Sequence, residues 1–117
     1  MNNSEFWEYL ERIVKENEIV IDRPKGTAHP KYKNIVYIAD YGYIKNTKSM
    51  DGGGIDVFIG SEVNKNIDAI ICTIDMVKKD SEIKILIGCN EKEKLDIYNF
   101  LNNSDFFKAI LINRNFK

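Results

Sequence analysis

The sequence has little histidine, proline or cysteine among its 117 residues. The single histidine, His29, has no serine or cysteine at a spacing typical of a catalytic triad, so a nucleophilic mechanism of that type is not supported. Cys72 and Cys89 both follow apolar runs and lack metal-ligand spacing. This pattern predicts two reduced, buried thiols, with a disulfide or a reactive thiol as the alternatives.

The chain also lacks an excess of either charge and a long apolar run. Its 17 basic and 18 acidic side chains give a net charge of −1, so no global positive field favours nucleic acid or an anionic membrane. No apolar run approaches the ~20 residues that a membrane-spanning helix needs. The N-terminus has no basic segment followed by an apolar one. We therefore expect a cytoplasmic protein that binds neither nucleic acid nor membrane.

What is present is enough apolar material for one core. Hydrophobic residues make up 44% of the sequence, and the length is that of one ordinary domain. Charged residues make up 30%, which predicts a well-solvated surface and argues against disorder. The sequence therefore predicts a single domain over residues 1–117.

Hydrophobic periodicity predicts two helices and several short strands. The helices are predicted over 2–17, where Asn2 and Glu5 are spaced as a capping box, and over 91–101. The β-branched apolar segments that predict strands are 18–22, 34–38, 41–44, 55–59, 69–76, 83–87 and 107–112. This order favours a small α+β barrel with flanking helices over a parallel sheet.

Carboxylates flank a glycine-rich turn in the middle of the chain. Asp51 precedes three consecutive glycines, and Asp56 follows in a strand where its side chain faces away from Ile55 and Val57. Mg²⁺ prefers carboxylate and water oxygens and commonly shares its site with substrate phosphates. Asp51 and Asp56 are therefore candidate metal ligands. The alternative is that Asp51 only forms the turn and that Asp56 is a solvated strand residue.

A second acidic group lies at and after the charged turn 78–81. Asp80 belongs to this turn, and Glu82 and Lys84 share one face of the following strand. The pattern alone is more often a solvated sheet face than a metal and phosphate site.

Basic residues surround the loop 23–30, which contains proline and glycine. Arg23, Lys25 and Lys31 are able to contact phosphate oxygens, although solvation at the surface is the commoner role. His29 is expected to form hydrogen bonds within this loop.

Four segments, taken together and in this order, resemble the soluble family I inorganic pyrophosphatases. They are Ile-Asp-Arg-Pro-Lys-Gly at 21–26, Lys-Tyr at 31–32, Asp-Tyr-Gly-Tyr at 40–43 and Asp-Gly-Gly-Gly-Ile-Asp at 51–56. The resemblance implies a five-stranded OB-type β-barrel with an N-terminal and a C-terminal helix. It also implies Mg²⁺-dependent hydrolysis of inorganic pyrophosphate to two phosphates. A homo-oligomer is a further expectation.

The resemblance also implies roles for individual residues. The metal ligands that it implies are Asp51, Asp56, Asp80, Glu82 and Asp22, the first two also being catalytic. The substrate-binding residues that it implies are Lys31, Tyr41 and Lys84.

The sequence departs from the family at three points. Gly53 occupies the position of the aspartate that helps to activate the attacking water, no clear arginine counterpart lies between Lys31 and Tyr41, and the C-terminal helix has no Tyr-Lys pair. Two alternatives therefore stay open: a non-catalytic descendant that binds a phosphate ligand or a protein partner, and a hydrolase of a different phosphoanhydride. A nucleic-acid-binding OB barrel is disfavoured by the near-neutral charge.

Overall fold

The structure of the protein is a computed structural model, which describes residues 3–114. Within these residues the elements in chain order are α1 (Ser4–Glu16), β1 (Ile19–Arg23), β2 (Asp40–Ile44), β3 (Ile55–Ile59), β4 (Ile67–Asp75), β5 (Asp80–Ile87), α2 (Glu91–Leu101) and β6 (Phe107–Asn113). The strands form one sheet in the order β1-β2-β3-β5-β4-β6. All neighbouring strands are antiparallel except β3 and β5, which are parallel.

The predicted α+β class, with a helix near each end of the chain, is confirmed, but the strand count differs. The sheet has six strands rather than five, and β1 and β6 are its two edges. Across residues 3–114 no pairing joins β1 to β6, so the sheet is open rather than closed as a barrel. Neither helix in this range has the length and apolar character needed to cross a membrane.

The predicted strand over 34–38 does not form. The segment folds back on the preceding loop, where a single bridge joins Ala28 and Val36. Its backbone bonds are local, because Gly26 N–H donates to the Tyr37 carbonyl at 2.8 Å and Tyr37 N–H donates to the Thr27 carbonyl at 2.9 Å. These bonds leave the segment outside the sheet, next to the edge strand β1.

The two helices begin differently. Asn3 is the N-cap of α1 and makes no side-chain capping bond, while Asn2 of the predicted capping box lies outside the described residues. At α2, the Asn90 side chain accepts from Glu93 N–H at 2.8 Å, and the Glu93 carboxylate accepts from Asn90 N–H at 2.9 Å. The start of α2 is therefore fixed by a reciprocal capping box.

Both faces of the sheet carry apolar clusters. On one face, α1 packs Trp7 and Leu10 against strand residues that include Val57. On the other face, Phe58 of β3 and Ile97 of α2 belong to a second cluster. Neighbouring residues point to opposite faces, so Val57 and Phe58 supply different clusters. The face that carries the second cluster also carries polar residues, because Asp56 lies two residues before Phe58 on β3.

The two cysteines are free in the structure. Cys89 is buried, as predicted, and burial raises the pKa of its thiol to about 12. Cys72 is only half-buried. A thiol that keeps its proton is a poor nucleophile, so Cys89 has the properties of a core residue.

Candidate active site

The sheet register brings Asp56 of β3 next to Lys84 of β5. The strands are parallel with Val57 opposite Ile85, and Asp56 and Lys84 each come one residue earlier. Lys84 Nζ donates to Asp56 Oδ2 at 2.8 Å. Val57 is buried in the cluster under α1, so Asp56 lies on the opposite face, as the alternation predicts.

Lys84 connects Asp56 to two further polar groups. Its ammonium donates to the Tyr41 hydroxyl at 2.8 Å and lies 3.6 Å from Glu82 Oε2. The Lys84 side chain is only 8% exposed, so these charges interact more strongly than a surface pair. Burial and then the charge of Asp56 raise the pKa of Tyr41 far above its usual value. The phenol therefore stays protonated and is a hydrogen-bond donor at any physiological pH.

Asp51 lies in the turn between β2 and β3. Its Oδ1 accepts from Ser49 Oγ at 2.7 Å and from Gly53 N–H at 2.9 Å, and these two bonds hold the pKa of Asp51 below its usual value. The tight turn depends on Gly52, which has φ = 83°, whereas Gly53 does not occupy the left-handed region. Asp51 is therefore an ionised carboxylate in a fixed turn.

The pKa of Glu82 is raised, by burial first and then by the neighbouring carboxylates. Burial is the largest cause of its raised pKa, Lys84 opposes the shift, and Asp56, Asp51 and Asp80 add to it. Asp80 begins β5 rather than lying in the preceding turn, opposite Asp75 of β4. Repulsion of this kind is relieved when a dication binds among the oxygens.

A polar cavity of about 230 Å³ lies over these residues. Every predicted site residue except Lys31 lines it. Its acidic lining residues are Asp22, Asp51, Asp56, Asp75, Asp80 and Glu82, and its basic ones are Arg23, Lys78 and Lys84. The two acidic segments that are separate in the sequence therefore face one space.

Lys31 lies apart from this cavity. Its side chain is exposed, with Nζ 5.5 Å from the centroid of the Tyr32 ring. His29 Nδ1 accepts from the N–H groups of Lys31 at 3.0 Å and Tyr32 at 3.2 Å. The expected role of His29 as a hydrogen-bonding loop residue is thus seen, and its ring also lines the cavity.

Two charged lining residues, Asp75 and Lys78, have no site role in the sequence-based assignment. Asp75 is buried and its Oδ1 accepts from the N–H groups of Val77 at 2.9 Å and Lys78 at 3.0 Å. Its position opposite Asp80 follows from the hairpin register, which the sequence signals only through the turn between the strands. Arg23, which the sequence indicated only as a basic residue able to contact phosphate, reaches the cavity through an irregularity in β1 that no sequence pattern indicates.

The donor set suits Mg²⁺, although the carboxylates do not converge on one point. Within residues 3–114, no three acidic, histidine or cysteine side chains form a ready-made metal cluster. Mg²⁺ usually keeps several waters and binds one or two carboxylates together with substrate phosphates, so it does not need such a cluster. Oxygen ligands from Asp51, Asp56 and Glu82 around one cavity are the ligand type that it prefers.

Comparison with known proteins identifies relatives of this chain. The family model for inorganic pyrophosphatase matches residues 13–109. No protein with a curated description matches the sequence. The inorganic pyrophosphatase of the pathogenic bacterium Helicobacter pylori has a similar structure, with a TM-score of 0.60, 15% identity, and coverage of 81% of this chain and 82% of that one. An inorganic phosphatase from Anaplasma phagocytophilum gives a TM-score of 0.49 and 17% identity, covering 81% of each chain.

Proposed function

This chain belongs to the inorganic pyrophosphatase family, and from that premise we propose that it hydrolyses inorganic pyrophosphate, a phosphoanhydride, to phosphate in a Mg²⁺-dependent reaction. The observation that supports this most is the contact of Lys84 with both Asp56 and Tyr41 inside a cavity lined by further carboxylates. The arrangement places donors for phosphate oxygens beside ligands for a hard cation.

Lys84 and Tyr41 are the proposed donors to the phosphate that departs. Lys84 contributes a buried positive charge, and the protonated Tyr41 contributes a neutral O–H. Both are positioned before substrate binds, so little reorganisation accompanies the build-up of negative charge. A contact between Lys31 and phosphate stays a prediction that rests on the resemblance alone.

Asp51, Asp56, Asp80, Glu82 and Asp22 are the proposed metal ligands. When bound there, Mg²⁺ supplies charge neutralisation for the phosphoryl oxygens and lowers the pKa of a coordinated water. The low pKa of Asp51 suits a ligand, because this carboxylate stays ionised and competes poorly for a proton.

Asp56 is the proposed acceptor of the proton from the attacking water. In the absence of substrate its Oδ2 accepts from Lys84. When a phosphate oxygen replaces Asp56 as the acceptor for Lys84, Oδ2 of this carboxylate becomes free to accept a hydrogen bond from the attacking water. Substrate binding and activation of the base are then coupled through one ammonium group.

A non-catalytic phosphate-binding role is the second candidate, and Gly53 favours it. Gly53 has no side chain to act as a base at the position where the family has an aspartate. A Cβ at Gly53 would lie 3.3 Å from Asp51 Oδ1, a tight contact that requires the Asp51 side chain to shift slightly. Packing against Asp51 is thus the one steric contact that favours glycine there, and no positive φ adds to it.

The deciding experiment is a phosphate-release screen over pyrophosphate, polyphosphate and nucleotides, with Mg²⁺ and with excess chelator. We expect release from pyrophosphate with Mg²⁺ only, and its loss in Asp56→Asn. Asp96→Asn is the matched control, since Asp96 pairs with Lys92 on α2 outside the cavity. Turnover that persists in chelator contradicts metal dependence, and binding without turnover favours the second candidate.

Location and assembly stay proposals. We propose a cytoplasmic location and a homo-oligomer. The oligomer is tested by light scattering coupled to size-exclusion chromatography. A mass of one chain at all concentrations contradicts the oligomer.

A further inference from the structure

Strand β1 carries one more residue than its partner near its end. Ile21 pairs with Gly42 and Arg23 pairs with Tyr41, so Asp22 has no partner on β2. In a regular strand Asp22 and Arg23 would point to opposite faces. Here both line the cavity. An extra residue in a strand commonly turns a side chain toward a functional site in this way.

Aromatic rings hold the guanidinium of Arg23 in place. Its Nη1 donates to the Tyr37 hydroxyl, and its Cζ lies 5.4 Å from the centroid of the Tyr37 ring and 5.8 Å from that of Tyr41. These two rings stack with centroids 5.2 Å apart, and Phe100 of α2 packs 5.6 Å from Tyr37. A side chain fixed before binding loses little conformational entropy when a ligand arrives.

Arg23 makes no salt bridge with a carboxylate of the described residues, although the cavity is rich in carboxylates and the charge of the neighbouring Asp22 acts on its guanidinium. Among residues 3–114 it takes part in no ion pair. Lys84, by contrast, is paired with both Asp56 and Glu82. A guanidinium stays protonated at all accessible pH values, and its planar fork matches two oxygens of one phosphate group. Its charge is thus left for an anion that enters from outside.

We propose that Arg23 is a substrate-binding residue that holds one phosphate group of the bound phosphoanhydride through two hydrogen bonds. The proposal rests on the proposed function of the cavity. Contacts run from Arg23 through the Tyr41 ring to Lys84, so a phosphate bound beside Tyr41 meets a positive charge on each side. The carboxylates beyond Lys84 are left for the cation.

The test measures binding without turnover. The dissociation constant of imidodiphosphate, in which a P–N–P link replaces the anhydride, is determined by calorimetry with Mg²⁺ for wild type, Arg23→Gln, Arg23→Lys and Arg12→Gln. Arg12 is the matched control, because it lies over the Tyr9 ring on α1, outside the cavity. We expect about 10–100-fold weaker binding for Arg23→Gln, an intermediate value for Arg23→Lys and a change under twofold for Arg12→Gln.

Melting temperatures and KM measured on the same proteins separate binding from structure. We expect KM to rise with the dissociation constant while the melting temperature of Arg23→Lys stays that of wild type. Equal affinities of Arg23→Gln and wild type overturn the proposal, as does absence of analogue binding by wild type. A wild-type chain that binds the analogue and releases no phosphate contradicts the proposed hydrolysis only.

Discussion

Lys84 and Lys94 are both buried lysines held by carboxylates, yet they lie in different environments. The Lys84 side chain is 8% exposed and that of Lys94 is 5% exposed. Lys94 Nζ donates to Asp68 at 3.1 Å, and to Glu91 and Asn113 at 3.2 Å each. These acceptors belong to β4, α2 and β6, so the lysine ties the helix to the sheet.

The difference between the two lysines is access to a ligand. Lys84 lines the polar cavity, and one of its hydrogen bonds goes to the Tyr41 hydroxyl. Lys94 does not line this cavity, and its ammonium donates to three side chains of the protein. Burial and ion pairing therefore do not distinguish Lys84, which we propose to bind phosphate, from Lys94, which contacts only protein groups. Open space at the ammonium, with a partner that a ligand is able to replace, is the distinguishing feature.

Replacing each lysine by methionine gives the largest contrast. Lys84→Met should lower kcat/KM for pyrophosphate by ~10²–10³-fold, the usual effect of removing one donor to developing negative charge. Lys94→Met should leave kcat/KM within about twofold of wild type in the same phosphate-release assay, because Lys94 is not in the cavity lining. Comparable losses in both variants would contradict the division of roles.

Stability should respond in the opposite way. Lys94→Met leaves the Asp68 carboxylate without its cation, and we expect the free energy of unfolding in urea to fall by about 3 kcal/mol. Adding Asp68→Asn should recover part of the loss, since the unpaired charge is then removed. A loss below about 1 kcal/mol would show that Asp68 is solvated in the variant.

The Lys94 contribution also has a defined pH dependence. Burial lowers the pKa of Lys94, but the hydrogen bonds to Asp68 and Glu91 outweigh burial and the pKa is raised. A raised pKa means that the stabilisation is complete below the usual value of 10.5 and is lost as pH rises through the folded-state pKa. Wild type and Lys94→Met should therefore converge in stability only in strongly alkaline solution.

A carboxylate introduced at position 53 tests whether the cavity lacks a base. Gly53→Asp is expected to raise pyrophosphate hydrolysis about tenfold, below the usual ~10²–10⁴-fold of a positioned base because Asp51 repels the new charge. Backbone strain does not oppose the change, since Gly53 lacks a positive φ. Rates at saturating Mg²⁺ and thermal melts are the measurements. A stable variant that binds metal without any gain would favour the non-catalytic role.

The smallest expected effect is on stability through metal binding. At a Mg²⁺ concentration about ten times the dissociation constant, the native state should gain ~1.4 kcal/mol, seen as a higher melting temperature. Asp51→Asn should reduce this gain, whereas Asp68→Asn at the Lys94 cluster should keep it. An equal gain in both variants would place the cation elsewhere.

Local patterns in the sequence were enough to identify several residues that line the polar cavity. The glycine turn at 51–56 and the alternation around Asp56 follow from neighbouring residues, so they are visible without a fold. The proximity of Asp56 to Lys84 is different, because it depends on the parallel pairing of β3 with β5. Only the resemblance to the family linked those two segments.

Other features depend on long-range contacts that local patterns do not encode. The segment 34–38 has strand-like composition, but its backbone groups bond to the preceding loop. Arg23 reaches the cavity because β1 gains a residue against β2. Whether a segment joins the sheet, and which way its side chains face, depends on tertiary packing, which overrides local propensity.

The parallel pairing of β3 with β5 has a consequence for the order of folding. β4 and β5 form a hairpin joined by a short turn in which Lys79 has φ = 57°. Contacts between residues this close in the sequence are expected to form early in folding. We expect β3 to contact β5 only after the chain has closed the longer loop that contains β4. Asp56 and Lys84 should then meet late, so recovery of activity during refolding should report completion of the sheet rather than formation of its first hairpin.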